Sequence, residues 1–193
     1  MTDTTSKGFP IHDAAAAPEG SRAMLERSRA QHGAVPNLHA ILAESPAALV
    51  GYRQLWALME GSSLTPAERQ VVYLTSSYEN ECRYCMAGHT VLARHDGLPE
   101  DAIGALRGGT PIPDGRLEAL RRFTSQLVTQ RGWVAEDEVA RFLGAGFTRA
   151  QVLEVVLGVA TKVISDYTNH LADTPLDGFM ADTVWAPPRE AAA

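Results

Sequence analysis

Both cysteines of the chain and one of its six histidines fall within a single run, Glu81-Cys82-Arg83-Tyr84-Cys85-Met86-Ala87-Gly88-His89. On a helix of about 3.6 residues per turn, Cys82, Cys85 and His89 stand at i, i+3 and i+7, on one face. The two sulfurs are then near enough to close a small ring, and the imidazole lies one turn beyond Cys85. These residue types suit a thiolate activated by a base, with a second thiol to resolve the product. Such a thiolate attacks the O–O bond of a peroxide and becomes a sulfenic acid. The neighbouring thiol condenses with it to a disulfide, and a dithiol reductant resets the pair. His89 at i+4 favours Cys85 as the nucleophile, with Cys82 resolving. A closer approach of Cys82 to a helix N-terminus would favour the reverse, because helix N-termini lower thiol pKa values. Spacing leaves both assignments open. A zinc site is the competing chemistry, but Cys-x2-Cys-x3-His supplies three ligands where zinc wants four. On one continuous helix the three would splay along the axis, and His32, His39, His95 and His170 stand isolated in the sequence. A thioredoxin-type site needs a βαβ context, which this sequence lacks.

The elements that must position this run read as helices. Residues 1–20 show no periodicity and are expected as a flexible arm. Ser21 is placed as the N-cap of a helix running to His32 and stopped by Gly33. Asn37 is placed as the cap of a short helix carrying Leu38, Ile41 and Leu42. Ser45-Pro46 restarts the chain with Pro at N1, and Leu49, Tyr52, Trp56 and Met59 then repeat at a/d spacing. That stripe is read as core, with Tyr52 or Trp56 lining a pocket as the lesser alternative. Thr65-Pro66-Ala67-Glu68 is a capping box, and Val71, Leu74 and Tyr78 carry the stripe of the helix it opens. This helix either breaks at Glu79-Asn80-Glu81, with Asn80 as a fresh N-cap, or runs straight through the cysteines. Helices are further expected over Pro99–Arg107, Arg116–Thr129 and Glu136–Leu143. A second capping box, Thr148-Arg149-Ala150-Gln151, opens a helix reaching Asn169-His170. Thr65–Leu74 and Thr148–Leu157 keep Thr, Ala, a Val and Leu in register, a short signal of two pseudo-repeats, 35–109 with the cysteines and 116–180 without. The loop Thr110–Gly115 is the candidate boundary between them. No useful period-2 pattern exists, so the class is all-α, with one domain over 21–185 and a frayed tail over 186–193.

Bulk properties narrow the function. The chain has 193 residues, 45% of them hydrophobic, and a formal net charge of −6. That is enough apolar material for one core, and the charge argues against nucleic acid and anionic membrane as partners. Met1 to Pro18 has no signal-peptide pattern, and no apolar run approaches the roughly 20 residues that span a bilayer. Two cysteines in one CxxC fit a reducing cytoplasm.

The residues also carry a resemblance. Leu64-Thr65-Pro66-Ala67-Glu68-Arg69, a stretch of helix, then Cys82-Arg83-Tyr84-Cys85 and His89, resemble the alkylhydroperoxidase D-like core of the carboxymuconolactone decarboxylase superfamily. Pro36-Asn37-Leu38 and Ser45-Pro46 upstream resemble its peroxidase-related branch. So do Tyr167-Thr168-Asn169-His170 and Thr174-Pro175-Leu176-Asp177 downstream. The resemblance spans roughly 35–180. It implies an all-helical fold that self-associates, as trimers or multiples of them. It further implies reduction of small hydroperoxides by the cysteine pair without a bound cofactor, the second cysteine, Cys85, being peroxidatic. In the best-described members a glutamate and the histidine form a proton relay, and electrons come from a lipoylated partner. Here the relay-glutamate position is Gln70, which cannot titrate, and the histidine between the cysteines is replaced by Tyr84. Glu79 is the expected substitute carboxylate, with Glu81 or Glu154 as further candidates, against an ordinary solvated role for Glu79. His170 is read as a capping or core residue. The sequence thus points to a cytoplasmic thiol peroxidase. A disulfide-switched oligomer and a zinc module stand as the alternatives.

Overall fold

The computed structural model describes residues 3–188. Two short strands, β1 (Asp3–Thr4) and β2 (Pro10–Ile11), pair antiparallel. Nine helices follow among the described residues: α1 (Glu19–His32), α2 (Asn37–Leu42), α3 (Pro46–Glu60), α4 (Pro66–Glu79), α5 (Arg83–His95), α6 (Glu100–Gly108), α7 (Gly115–Thr129), α8 (Glu136–Gly144) and α9 (Arg149–Ala172). A 3-10 turn, Gly178–Thr183, closes the chain over α5. The all-α reading holds, and no single described helix is long and apolar enough to cross a membrane.

The local rules work where a cap is spelled out. Thr65 accepts from the Glu68 amide while Glu68 reaches back, and Thr148 and Gln151 repeat the device. Ser45 accepts from the Ala48 amide ahead of Pro46. Gly33 ends α1 at φ 76, the left-handed conformation that lacks a Cβ penalty.

Four local expectations are corrected. Ser21 is no cap: α1 starts two residues earlier, and buried Ser21 donates to the Ala43 carbonyl. Asn37 is the first helical residue of α2 rather than its cap, and its amide and side chain tie down Asp177 and Pro175. The 1–20 arm is not loose over its described part. His12 N–H bonds the Ala40 carbonyl, Lys7 donates to the His170 carbonyl, and Ala17 is buried. Residues 1–2 and 189–193, the ends of the expected arm and tail, lie outside the described residues. His170 itself is exposed.

α4 is the central helix. It packs on α5, α6, α7 and α9, with every residue from Val71 to Ser77 buried. α4 and α7, on either side of the loop Thr110–Gly115, pack directly on each other. Two apolar clusters result. The larger gathers Leu74, Leu106, Phe123, Phe142 and Phe147 under α6 to α8. The smaller, from α1 to α3 and α5, includes Leu25, Leu38, Leu49, Tyr52 and both cysteines. At the crossing of α9 over α3 and α4 stands Gly158, where a Cβ would lie 2.8 Å from Val72 Cγ1 and 3.0 Å from Met59 Cε.

Candidate active site

The helix carrying the cysteines neither runs through nor restarts at Asn80. α4 ends in a Schellman motif: the Glu81 amide bonds the Tyr78 carbonyl and the Cys82 amide bonds the Ser77 carbonyl. Glu81 takes the left-handed position at φ 55, where glycine is usual. A non-glycine residue there costs about 1–2 kcal/mol. Cys82 then sits in extended conformation as the residue before α5 (φ −84, ψ 102). Cys85 is therefore the third residue of α5, within its first turn.

Both cysteines are buried and free, with their sulfurs within 4.8 Å of each other. The hydrogen bonds to them come from α9. Asn169 Nδ2 lies 3.2 Å from Cys85 Sγ and 3.8 Å from Cys82 Sγ. Asp166, also on α9, brings a carboxylate oxygen within 4.8 Å of both sulfurs. It is fully buried and paired with Lys162 Nζ at 3.3 Å, itself 1% exposed. Asn80 Nδ2 (2.9 Å) and Ser77 Oγ (3.3 Å) donate to the same carboxylate. Burial, then the neighbouring Cys85 and Asp166, pushes the Cys82 thiol far up. Burial works against the Lys162 charge, but Asp166 and the Cys85 sulfur hold it on.

His89 is in the site, but not as a base bonded to Cys85. Its Nδ1 lies 2.9 Å from Gln70 Oε1, and Gln70 Nε2 donates to Asp96 at 2.8 Å. A carboxylate only accepts, so the amide NH2 faces Asp96 and the amide oxygen faces the ring. His89 must therefore carry its proton on Nδ1. Complete burial, and then Lys162, hold its pKa well below the ordinary value, so the ring is neutral. Gln70 thus occupies the expected relay position as a fixed dipole.

The other candidates lie elsewhere. Glu79 accepts from Ser125 on α7 at 2.5 Å, and Glu154 takes the Ser63 amide and hydroxyl, so neither replaces the relay carboxylate. Glu81 serves the bend. Tyr84 donates from its hydroxyl to Asp177 and accepts the Leu38 amide at 3.3 Å, pinning the 3-10 turn segment to α2 and α5. Those bonds hold its hydroxyl as a strut, not as a proton donor to the thiols. The residues whose ligand atoms cluster are Cys82, Cys85 and Asp166, not His89. Asp166 is already committed to Lys162, Ser77 and Asn80.

A cavity of about 250 Å³ opens onto Cys85. Its wall is a run of rings: His39 to Tyr52 (5.7 Å between centroids), Tyr52 to Trp56 (6.3 Å) and Trp56 stacked on His89 (5.8 Å). Tyr84, Phe179 and two cations, Arg53 and Lys162, also line it. The lesser alternative therefore holds for Tyr52 and Trp56: Leu49 and Met59 are core, while these two rings face the cavity. His39 is missed by sequence reading. It is buried against Ser28 Oγ at 2.6 Å, and desolvation lowers its pKa to about 3. Lys162, Asp166 and Asn169 are missed as site residues too. Their i, i+4, i+7 spacing on α9 was a signal, but without a predicted packing partner it reads as an ordinary polar face.

Residues 43–125 match the carboxymuconolactone decarboxylase family. The fold is shared with the alkylhydroperoxidase AhpD core of an uncharacterized peroxidase-related protein from Ralstonia eutropha JMP134. That likeness has TM-score 0.79 and 20% identity, over 89% of this chain and 93% of that one. An uncharacterized peroxidase-related protein from Silicibacter sp. TM1040 is similar at TM-score 0.78 and 18% identity, over 92% and 94%. A cysteine-to-alanine variant of the debrominase Bmp8, in complex with 2,3,4-tribromopyrrole, is similar at TM-score 0.75 and 12% identity, over 95% and 97%. No curated protein matches the sequence. The family match thus covers residues 43–125, and the fold over most of the chain is that of the AhpD-like core.

Proposed function

We propose that this protein is a thiol-dependent reductase of organic hydroperoxides, with Cys85 as nucleophile and Cys82 as resolving thiol. The observation that carries the reading is the unequal surroundings of two adjacent thiols. Cys85 opens onto the cavity, in the first turn of α5, with the shorter Asn169 bond. Cys82, at 0% exposure, lies outside that cavity. The Cys85 thiolate attacks the O–O bond, and its former proton leaves on the alkoxide as ROH. Cys82 then displaces hydroxide from the sulfenic acid, its proton ending in water, and the disulfide forms. A dithiol reductant, free or lipoyl-borne, returns two electrons and two protons. His89, neutral and locked by Gln70, lines the cavity as a fixed ring rather than a titrating relay. Self-association is part of the proposal, and the exposed Leu153, Val156, Tyr167 and Leu171 of α9 supply an apolar face for it.

The aromatic wall favours a second reading, reductive dehalogenation of a halogenated aromatic. There, two thiols become a disulfide while Ar–Br becomes Ar–H with release of bromide and a proton. The fold shared with Bmp8 supports including it.

The test is single-turnover oxidation of the reduced protein by cumene hydroperoxide, read as thiols lost and alcohol formed, with bromide release from a bromopyrrole as the parallel arm. The wild type is expected to lose two thiols per alcohol. Cys85→Ser should be inert, and Cys82→Ser should stop at one trapped sulfenic acid. Unchanged consumption by Cys85→Ser would refute the assignment, and bromide release without alcohol formation would select the second reading.

A further inference from the structure

We propose that three residues of α9 – Lys162, Asp166 and Asn169 – form a polar device that keeps the charge on Cys85 and the proton on Cys82. This deepens the reading above by naming what makes the two thiols unequal, and it rests on that reading for its role in turnover.

The geometry is directional. Lys162 lines the cavity onto which Cys85 opens, and Cys82 does not line it. Asp166 sits at the other end of the ion pair, held by Ser77 and Asn80, which lead into Cys82. Cys82 is itself tied to that end, through its N–H to the Ser77 carbonyl at 2.8 Å. The Asp166 carboxylate thus stands within 4.8 Å of both sulfurs, and what differs between the thiols is the cation, which shares the cavity with Cys85 and not with Cys82. Asn169 adds a donor with the same bias, 3.2 Å to Cys85 and 3.8 Å to Cys82. Electrostatics agree in sign. Among the charges acting on Cys82, Asp166 pushes the thiol up more than Lys162 pulls it down, and Lys162 feels the Cys85 sulfur more than the Cys82 sulfur. The other titratable groups facing the pair are Tyr52 from α3, Tyr73 from α4 and His89 from α5, while Arg53 of α3, which donates to Gln31, lines the same cavity. Tyr52 and Tyr73 are pushed up and His89 down, all by burial, so all three are neutral near pH 7. The ion pair is therefore the buried charge that distinguishes the thiols. A carboxylate beside the cysteines is what the Gln70 position no longer supplies, and here it comes from α9.

Asn169 touches both reacting sulfurs and is assigned as a catalytic residue. Lys162 and Asp166 act through their field and are positioning residues.

The test follows each cysteine in the reduced full-length protein by iodoacetamide alkylation across pH. Arg83 lies between the two, so tryptic cleavage places them in separate peptides. The midpoint of each rate profile, unlike the rate, is insensitive to access. In the wild type the Cys85 midpoint is expected at least about one pH unit below that of Cys82, a tenfold difference in thiolate ratio. Replacing both charges together, Lys162→Met with Asp166→Leu, leaves no unpaired buried ion and should bring the two midpoints within a factor of about three in thiolate ratio. Asn169→Ala should raise the Cys85 midpoint more than that of Cys82. Coincident midpoints in the wild type overturn the proposal, whether or not the double variant folds. So does an unchanged separation in a folded double variant. The assay contains no peroxide. Separated midpoints in a protein that leaves cumene hydroperoxide untouched would keep this inference and remove the peroxidase reading, while turnover with coincident midpoints would do the opposite.

Discussion

Acid should destabilise this fold through its buried imidazoles, and His39 allows the size to be worked out. Its ring is 5% exposed, bonded to Ser28 and packed edge-on against Tyr52, and desolvation lowers its pKa from 6.5 to about 3. Above pH 6.5 the ring is neutral folded and unfolded, so it contributes no pH dependence. Below 6.5 the unfolded chain binds a proton that the folded chain refuses, and stability falls with pH until the folded pKa is reached. The slope rises from half its full value at pH 6.5 toward about 1.4 kcal/mol per pH unit, so between pH 6.5 and 4.5 His39 alone removes about 2.3 kcal/mol. His89 is shifted in the same direction and adds to the loss. Against a typical stability of about 5–15 kcal/mol this is a large share. The assay is urea unfolding of the wild type and His39→Gln at pH 6.5 and 4.5. Glutamine keeps a partner for Ser28 but cannot titrate, and the carboxylates common to both proteins cancel in the difference. The variant should be weaker by about 1–3 kcal/mol at pH 6.5, from lost packing and an imperfect hydrogen bond. By pH 4.5 that deficit should shrink by about 2.3 kcal/mol. Equal losses in both proteins would mean that His39 is not held neutral, and the desolvation argument would fail.

Two further outcomes follow from single contacts. Gly158→Ala drives a Cβ into Val72 and Met59 where α9 crosses α3 and α4; thermal unfolding should show a loss of about 1–3 kcal/mol, and an unchanged midpoint would mean that the crossing yields freely. Gln70→Leu removes the acceptor of the buried His89 N–H and the donor to Asp96, which should cost about 1–3 kcal/mol and free the ring to exchange tautomers, visible in the 15N shifts of His89. A single Nδ1–H tautomer surviving in the variant would show that Gln70 does not set it.

The sequence by itself determined the class, the caps and the chemical identity of the centre. Thr65, Thr148 and Ser45 state helix starts in side-chain hydrogen bonds that need only local chain, and two cysteines three residues apart meet whatever surrounds them. The left-handed turn at Glu81 was not legible, because no glycine marks it, and that turn moves Cys82 off the helix face shared by Cys85 and His89. Packing decided the rest. Which carboxylate lies beside the thiols depends on α9 crossing α4 and α5, some 80 residues along the chain from Cys82 to Asp166. That crossing makes Asp166 the neighbour, sends Glu79 to Ser125 on α7, and turns Gln70 from a lost relay into the clamp of His89. Spacing specifies what can touch along one helix, whereas the charge on a buried thiol is set by whatever the fold brings against it through low-dielectric surroundings.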